Sequence, residues 1–236
     1  MNRLLLTATL SVAATIVAAP TIFPAPVAAA VVVEDADQSS PVAAAASFFN
    51  AMFAGDEEAM QSMIRLETDK EKQAFDLMKP MLAASGKLMS TCQEKFGKAP
   101  VGRTTTDLDA VKEAIASATA EEDGDTATVT LTLPDDVAGI SGTSTMPPMS
   151  MVKVDGQWML ADGKAFGMDA FTQDQMGPGE MEMLTATIGA LEEVATAMTA
   201  EVEAGKFDSA EAVSAEMNQR AMKAMQEAMM GGQGGM

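Results

Sequence analysis

Methionine is the one side chain in unusual supply that could do chemistry, at 22 of 236 residues. Met149/Met151, Met181/Met183, Met222/Met225 and Met229/Met230 form close pairs, and thioether sulfur is a soft ligand suited to Cu(I). No pair is joined by histidine or cysteine. The same thioethers can replace leucine in core stripes or line an adaptable binding surface. A methionine-based Cu(I) binder therefore stands as an alternative, while no metal site and no cofactor is expected. The chain has no histidine and no tyrosine. A Ser-His-Asp or Cys-His arrangement cannot be built from it, and a zinc site would lack both its histidines and its cysteine pairs. No glycine-rich phosphate loop follows a strand pattern. Cys92 is the only cysteine, so there is no internal disulfide. It lies on an apolar helical stripe, where a buried, inert thiol is expected. Acids are plentiful, but the Asp135-Asp136 pair sits in a Gly- and Pro-containing polar loop and reads as solvated charge. No catalytic residue is assigned.

The elements that must position any site centre on 125–160. Ala127, Val129, Leu131 and Leu133 alternate with Thr126, Thr128, Thr130 and Thr132. That period-two pattern predicts a strand with one apolar and one hydroxyl face. Asp155-Gly156 stands between two β-prone runs and predicts a tight hairpin, because this pair tolerates positive φ. A two-residue turn puts Met151, Lys153, Trp158 and Leu160 on one face and Val152, Val154 and Met159 on the other. Both faces being largely apolar, the hairpin should be covered on both sides or shifted by a bulge. Upstream, 107–118 is ambiguous between helix and strand. A strand near 115–121 is expected to pair with 125–133 across the Glu122-Asp123-Gly124-Asp125 turn.

Helices are expected on either side. Ser40-Pro41 reads as an N-cap with proline at the first helical position, followed by a stripe of Val42, Ala45, Phe49 and Met52 and a stop at Gly55. Asp56 can cap a short helix reaching Leu66. Thr68 to Glu71 is a capping-box pattern. It opens a stripe of Phe75, Met78, Leu82, Met89, Cys92 and Phe96, with a kink expected at Pro80 and Ser85-Gly86 as a candidate break. Past a Gly-, Asp-, Gln- and Pro-rich stretch, Leu184, Ile188, Leu191, Ala195, Met198 and Val202 form a heptad-like seam. Gly205 ends it, and Asp208 with Glu211 starts a second helix to about Met230. Two helices alone bury too little to be stable. Their seam needs a third surface: the exposed sheet face of the same chain, a second copy, or a foreign protein. The Met222, Met225 and Met229 stripe would make that contact adaptable.

Residues 1–30 carry the pattern of a cleaved export signal: Arg3, the apolar run Leu4 to Ala19, and Ala28-Ala29-Ala30. Pro20, Pro24 and Pro26 interrupt the run before it comfortably spans a bilayer. Removal of Arg3 with the signal moves the charge from −19 to 14 − 34 = −20. A chain this acidic should be repelled by phosphate backbones and anionic lipid, so neither nucleic acid nor membrane is an expected partner. The expected organisation is a signal over 1–30, a linker over 31–40, an α+β domain over 41–163, a linker over 164–177, a helical hairpin over 178–230 and a disordered tail over 231–236.

The motifs Pro41, Phe48-Phe49, Ala51, Gly55-Asp56 and Ala59 occur in the opening helices. Gly124-Asp125-Thr126-Ala127-Thr128-Val129 and Val152-Lys153-Val154-Asp155-Gly156-Gln157-Trp158 occur in the strands. Over roughly 41–163 this resembles the nuclear transport factor 2-like (cystatin-like α+β) superfamily, and in particular its small exported bacterial members. The stretch 67–110 is longer and more helical than that pattern, and 178–236 lies outside it. The resemblance implies N-terminal helices packed on a curved antiparallel sheet enclosing a cone-like cavity, with Phe49, Phe53, Met149, Met151 and Trp158 as candidate lining. The superfamily's enzymes commonly use His, Tyr and Asp there, of which only acids remain here. The fold hosts catalysts and binders alike. The expected function is therefore an exported, non-catalytic binding or interaction module for a small apolar ligand or a protein partner, a second copy included. An acid-catalysed dehydratase- or isomerase-like cavity enzyme is the other alternative beside the Cu(I) binder.

Overall fold

The computed structural model describes residues 36–101, 104–132, 148–161 and 178–231. The signal pattern, Leu133, Asp135-Asp136 and 164–177 lie outside the described residues. What is described is α+β: four helices and two antiparallel sheets, followed by two long helices.

Helix α1 spans Pro41–Ala54. The Ser40 side chain accepts from the Ala43 N–H, Pro41 opens the helix, and Gly55 closes it at φ 71°. Helix α2 spans Glu57–Ser62, with the Asp56 carboxylate accepting from the Ala59 N–H at 2.9 Å. It ends earlier than the expected Leu66, because Met63 to Arg65 turn to pair with a strand. Helix α3 spans Asp69–Phe96 and begins with the full capping box of Thr68 and Glu71. The expected break at Ser85-Gly86 does not occur, and the helix runs on through both Pro80 and Gly86. Gly86 is where α1 crosses. A Cβ built there would stand 1.8 Å from the Met52 carbonyl oxygen. The glycine is required by contact between two backbones, not by a turn.

Strands β1 (Ala99–Val101) and β2 (Thr104–Thr106) pair antiparallel. Helix α4 spans Leu108–Ala116. The expected strand over 115–121 is thus displaced to β3, Thr119–Asp123. The helix wins because Gln93 of α3 fixes its start. The Gln93 side-chain NH2 donates to the Asp107 carboxylate, and its carbonyl accepts from the Leu108 N–H, both at 3.0 Å. Strands β4 (Thr126–Thr130), β5 (Met149–Val154) and β6 (Gln157–Leu160) complete a four-stranded antiparallel sheet in the order β3-β4-β5-β6.

The β5–β6 pairing is regular from Met151↔Leu160 to Val154↔Gln157, around Asp155 at φ 52° and Gly156 at φ 87°. No bulge is present, contrary to one expectation. Nor is the hairpin buried on both sides. Met149, Met151, Trp158 and Leu160 are buried, whereas Val152, Val154 and Met159 are half-exposed. The free edge of β6 is partly covered by the chain. The Trp158 N–H donates to the Gln38 carbonyl, the Leu160 N–H to Met63, and the Arg65 N–H to Leu160. Gln38, in the stretch expected as linker, therefore accepts a bond from the sheet edge.

Helices α5 (Pro178–Glu203) and α6 (Ala210–Gly231) follow. Their third surface belongs to the same chain, and it is chiefly helix α3 rather than a sheet face. Leu88 and Cys92 of α3 form a second buried cluster with Met198, Val202 and Val213. The Lys95 ammonium of α3 donates to the carbonyls of Val202 and Glu203, capping the end of α5. Cations are favoured there by the unpaired carbonyls at a helix C-terminus. The start of α6 touches β2, where the Thr105 hydroxyl donates to the Glu211 carboxylate at 3.2 Å. The described residues form one compact unit by this packing.

Candidate binding groove

The side chains singled out by chemistry fall in different places. Phe49, Phe53, Met149, Met151 and Trp158 all belong to one buried cluster with Phe48, Phe75 and Leu160. Phe49 and Phe53 lie with ring centroids 6.3 Å apart. The Lys153 ammonium stands 5.5 Å from the Trp158 ring centroid, a cation–π contact at the hairpin tip. Met151 also borders a groove of about 460 Å³ beside the sheet, whose rim carries Glu67, Glu121, Asp123, Thr126, Thr128 and Ser150. Glu67 is engaged there by Arg65 at 3.3 Å.

Cys92 is fully buried between α3 and α5, and burial pushes its thiol up to about 11. A thiol so placed is neither a nucleophile nor a ready ligand at neutral pH. The methionine pairs divide. Met149 and Met151 are core residues, Met181, Met183, Met222 and Met225 are exposed, and the side chains of Met229 and Met230 lie outside the described residues. No group of three or more His, Cys, Asp or Glu side chains able to hold a metal occurs among the described residues. None of the described helices is long and apolar enough to cross a membrane.

A groove of about 490 Å³ lies between α5 and α6. Its α5 wall is Ala186, Ala190, Glu193, Val194 and Ala197, and its α6 wall is Arg220, Lys223, Ala224 and Glu227. Both sets recur at helical spacing and so share one face of each helix. The floor exists because alanines stand where two packed helices would ordinarily interlock larger side chains. Both cations of the rim are paired. Arg220 donates to Glu216 at 2.7 Å and to Glu201 at 2.9 Å, and Lys223 lies 3.8 Å from Glu227. The Arg220 hydrogen bond, and then that of Lys206, hold the Glu201 carboxyl below the ordinary range. Hydrogen bonds from Ser39 do the same for Asp37, and those of its own backbone, Ser209 and Thr105 for Glu211. All three shifts keep a carboxylate ionised, the opposite of what an acid catalyst needs.

Sequence reasoning named the apolar seam of α5 but not this groove. Its signal was the alanine stripe at 186, 190 and 197, which a search for large apolar or reactive residues passes over. Compared with protein-family models, curated proteins and solved structures, the chain matches none.

Proposed function

We propose that this chain is an exported, non-catalytic binding module, built on a nuclear transport factor 2-like plan and elaborated by the α5–α6 pair. The observation that carries the reading is the α5–α6 groove: an open floor of alanines and Val194 beneath a charged rim whose two cations, Arg220 and Lys223, are each paired with carboxylates. Such a surface can hold a small apolar ligand or an apolar segment of a partner, with polar groups fixing orientation. No Ser, Thr, Cys or His lines it. The helix order at the start and the Asp155-Gly156 hairpin support the superfamily plan. The long α3, and α4 after it, depart from it. The N-terminal apolar run with Ala28-Ala29-Ala30 supports export.

The test is purification of the chain from its native envelope, with mass spectrometry of co-purifying species, beside an Ala190→Trp variant that fills the groove. The wild type should carry a species that the variant has lost at unchanged helix content. Equal retention by both proteins would remove the groove from the function. N-terminal sequencing of the exported form should begin near residue 31, and a start at Met1 would sink the export reading.

A further inference from the structure

Helix α6 has a second face, turned away from the groove. Taking Ala215 and Met222 as equivalent positions of a seven-residue repeat puts Asn218 and Met225 three residues on, with Gln219 and Gln226 beside them. These positions form one stripe on a helix. Every charged residue over 215–228 (Glu216, Arg220, Lys223 and Glu227) falls outside it. It is also open. Met222 is 67% exposed and Met225 44% exposed, and Ala215, Gln219 and Gln226 are exposed as well.

We propose that this stripe of α6 is the contact surface for a second copy of the chain, with two α6 helices packed across a two-fold axis. The choice of occupant follows from charge and hydrogen-bonding chemistry. A basic partner would be held by carboxylates along the seam, and an acidic foreign partner by cations, but the seam has neither. An identical chain of charge −19 can approach only where its own acids do not face themselves. The edge groups are amides, and an amide both donates and accepts. Gln219 and Gln226 can therefore bond to the same residue types across a two-fold, which carboxylates facing each other could not. The methionines between them supply apolar surface able to adapt to its own copy. A seam this short makes a weak, concentration-dependent dimer. The inference stands apart from the groove, since Ala190→Trp fills the groove and leaves the seam untouched.

Sedimentation equilibrium of residues 31–236, from roughly micromolar to millimolar concentration, tests it. The expected result is a reversible monomer–dimer equilibrium. Met222→Glu and Met225→Glu should each weaken it by at least about tenfold by placing like charges across the axis. Thr196→Glu, which adds the same charge at an exposed position of α5, should leave it unchanged. Circular dichroism confirms that each variant is folded. A chain that stays monomeric at the highest concentration overturns the proposal. So does a dimer indifferent to both methionine changes, or one weakened equally by Thr196→Glu.

Discussion

Substitution of Gly86 by alanine is the sharpest test of how α1 and α3 are held together. In the interior of an exposed helix, Gly→Ala stabilises by about 1 kcal/mol, because glycine loses more backbone freedom on folding. At Gly86 the added Cβ would stand 1.8 Å from the Met52 carbonyl oxygen, 2.6 Å from its carbonyl carbon and 3.1 Å from the Phe53 Cα. Real Cβ atoms stay 3.0 Å or more from such atoms, so the backbones must part by about 3.0 − 1.8 = 1.2 Å. No side-chain rotation can relieve this, since every one of these neighbours is backbone. Parting the helices loosens the packing of Phe49 and Phe53 and strains the bond from the Ser90 hydroxyl to the Phe53 carbonyl. Overpacking of this kind costs about 1–3 kcal/mol and a lost hydrogen bond about 1. Set against the propensity gain, the net destabilisation is about 1–3 kcal/mol, or a midpoint roughly 2–10 °C lower for a chain of this size. Gly189, in the middle of α5, has nothing within 4 Å of its Cβ position, so Gly189→Ala should gain about 0.5–1 kcal/mol. Urea unfolding followed by circular dichroism measures both. A Gly86→Ala protein as stable as the wild type would refute the close crossing, whatever Gly189→Ala did.

Three further outcomes are expected. Trp158, the only tryptophan and buried in the main core, should emit well to the blue of free tryptophan in the native state, and Trp158→Ala should cost about 3–5 kcal/mol in urea unfolding. Cys92 should resist a thiol reagent at pH 8 until the protein unfolds. The unfolded thiol releases its proton near 9 and the folded one near 11, so stability should fall as pH rises between those values. That fall should be absent from Cys92→Ala, and a pH profile identical in both proteins would contradict the buried placement. A chain ending at Gly177 loses the cover over Leu88 and Cys92. It should be less stable and should expose Cys92 to the reagent in the native state, and an unreactive Cys92 there would place the α3 contact elsewhere.

The features legible in the sequence are those closed by neighbouring residues. Ser40-Pro41, Asp56, Thr68 with Glu71, and Asp155-Gly156 each satisfy or turn the backbone within four residues, and each is found as read. The misreadings are features settled at a distance. Helix α4 is started by Gln93 and Asp107, 14 residues apart in the chain, so no local window over 107–118 contains the deciding contact. Ser85-Gly86 carries a breaker's local signature, yet the glycine answers to Met52 on another helix. Strands β1 and β2 have three residues each, too few for alternation to emerge.

The same division explains the candidate site. Phe49, Phe53, Met149, Met151 and Trp158, which the resemblance implied as cavity lining, lie together in the buried core, where a strand face and a helix stripe bury their large apolar residues. That argument serves a filled core and a cavity equally well, since pattern reports which side chains turn inward and not how much volume they leave. Space is decided by the residues that do not reach. Along α5 the large residues Ile188, Met198 and Val202 turn to buried contacts, and the small ones at 186, 190 and 197 turn to the groove. A heptad seam found from its large members therefore names the inner side of a helix pair and stays silent about the outer one. On this chain, with no histidine or tyrosine and its one thiol sealed beneath α5, those outer faces of α5 and α6 are among the described surfaces open to a ligand or another chain.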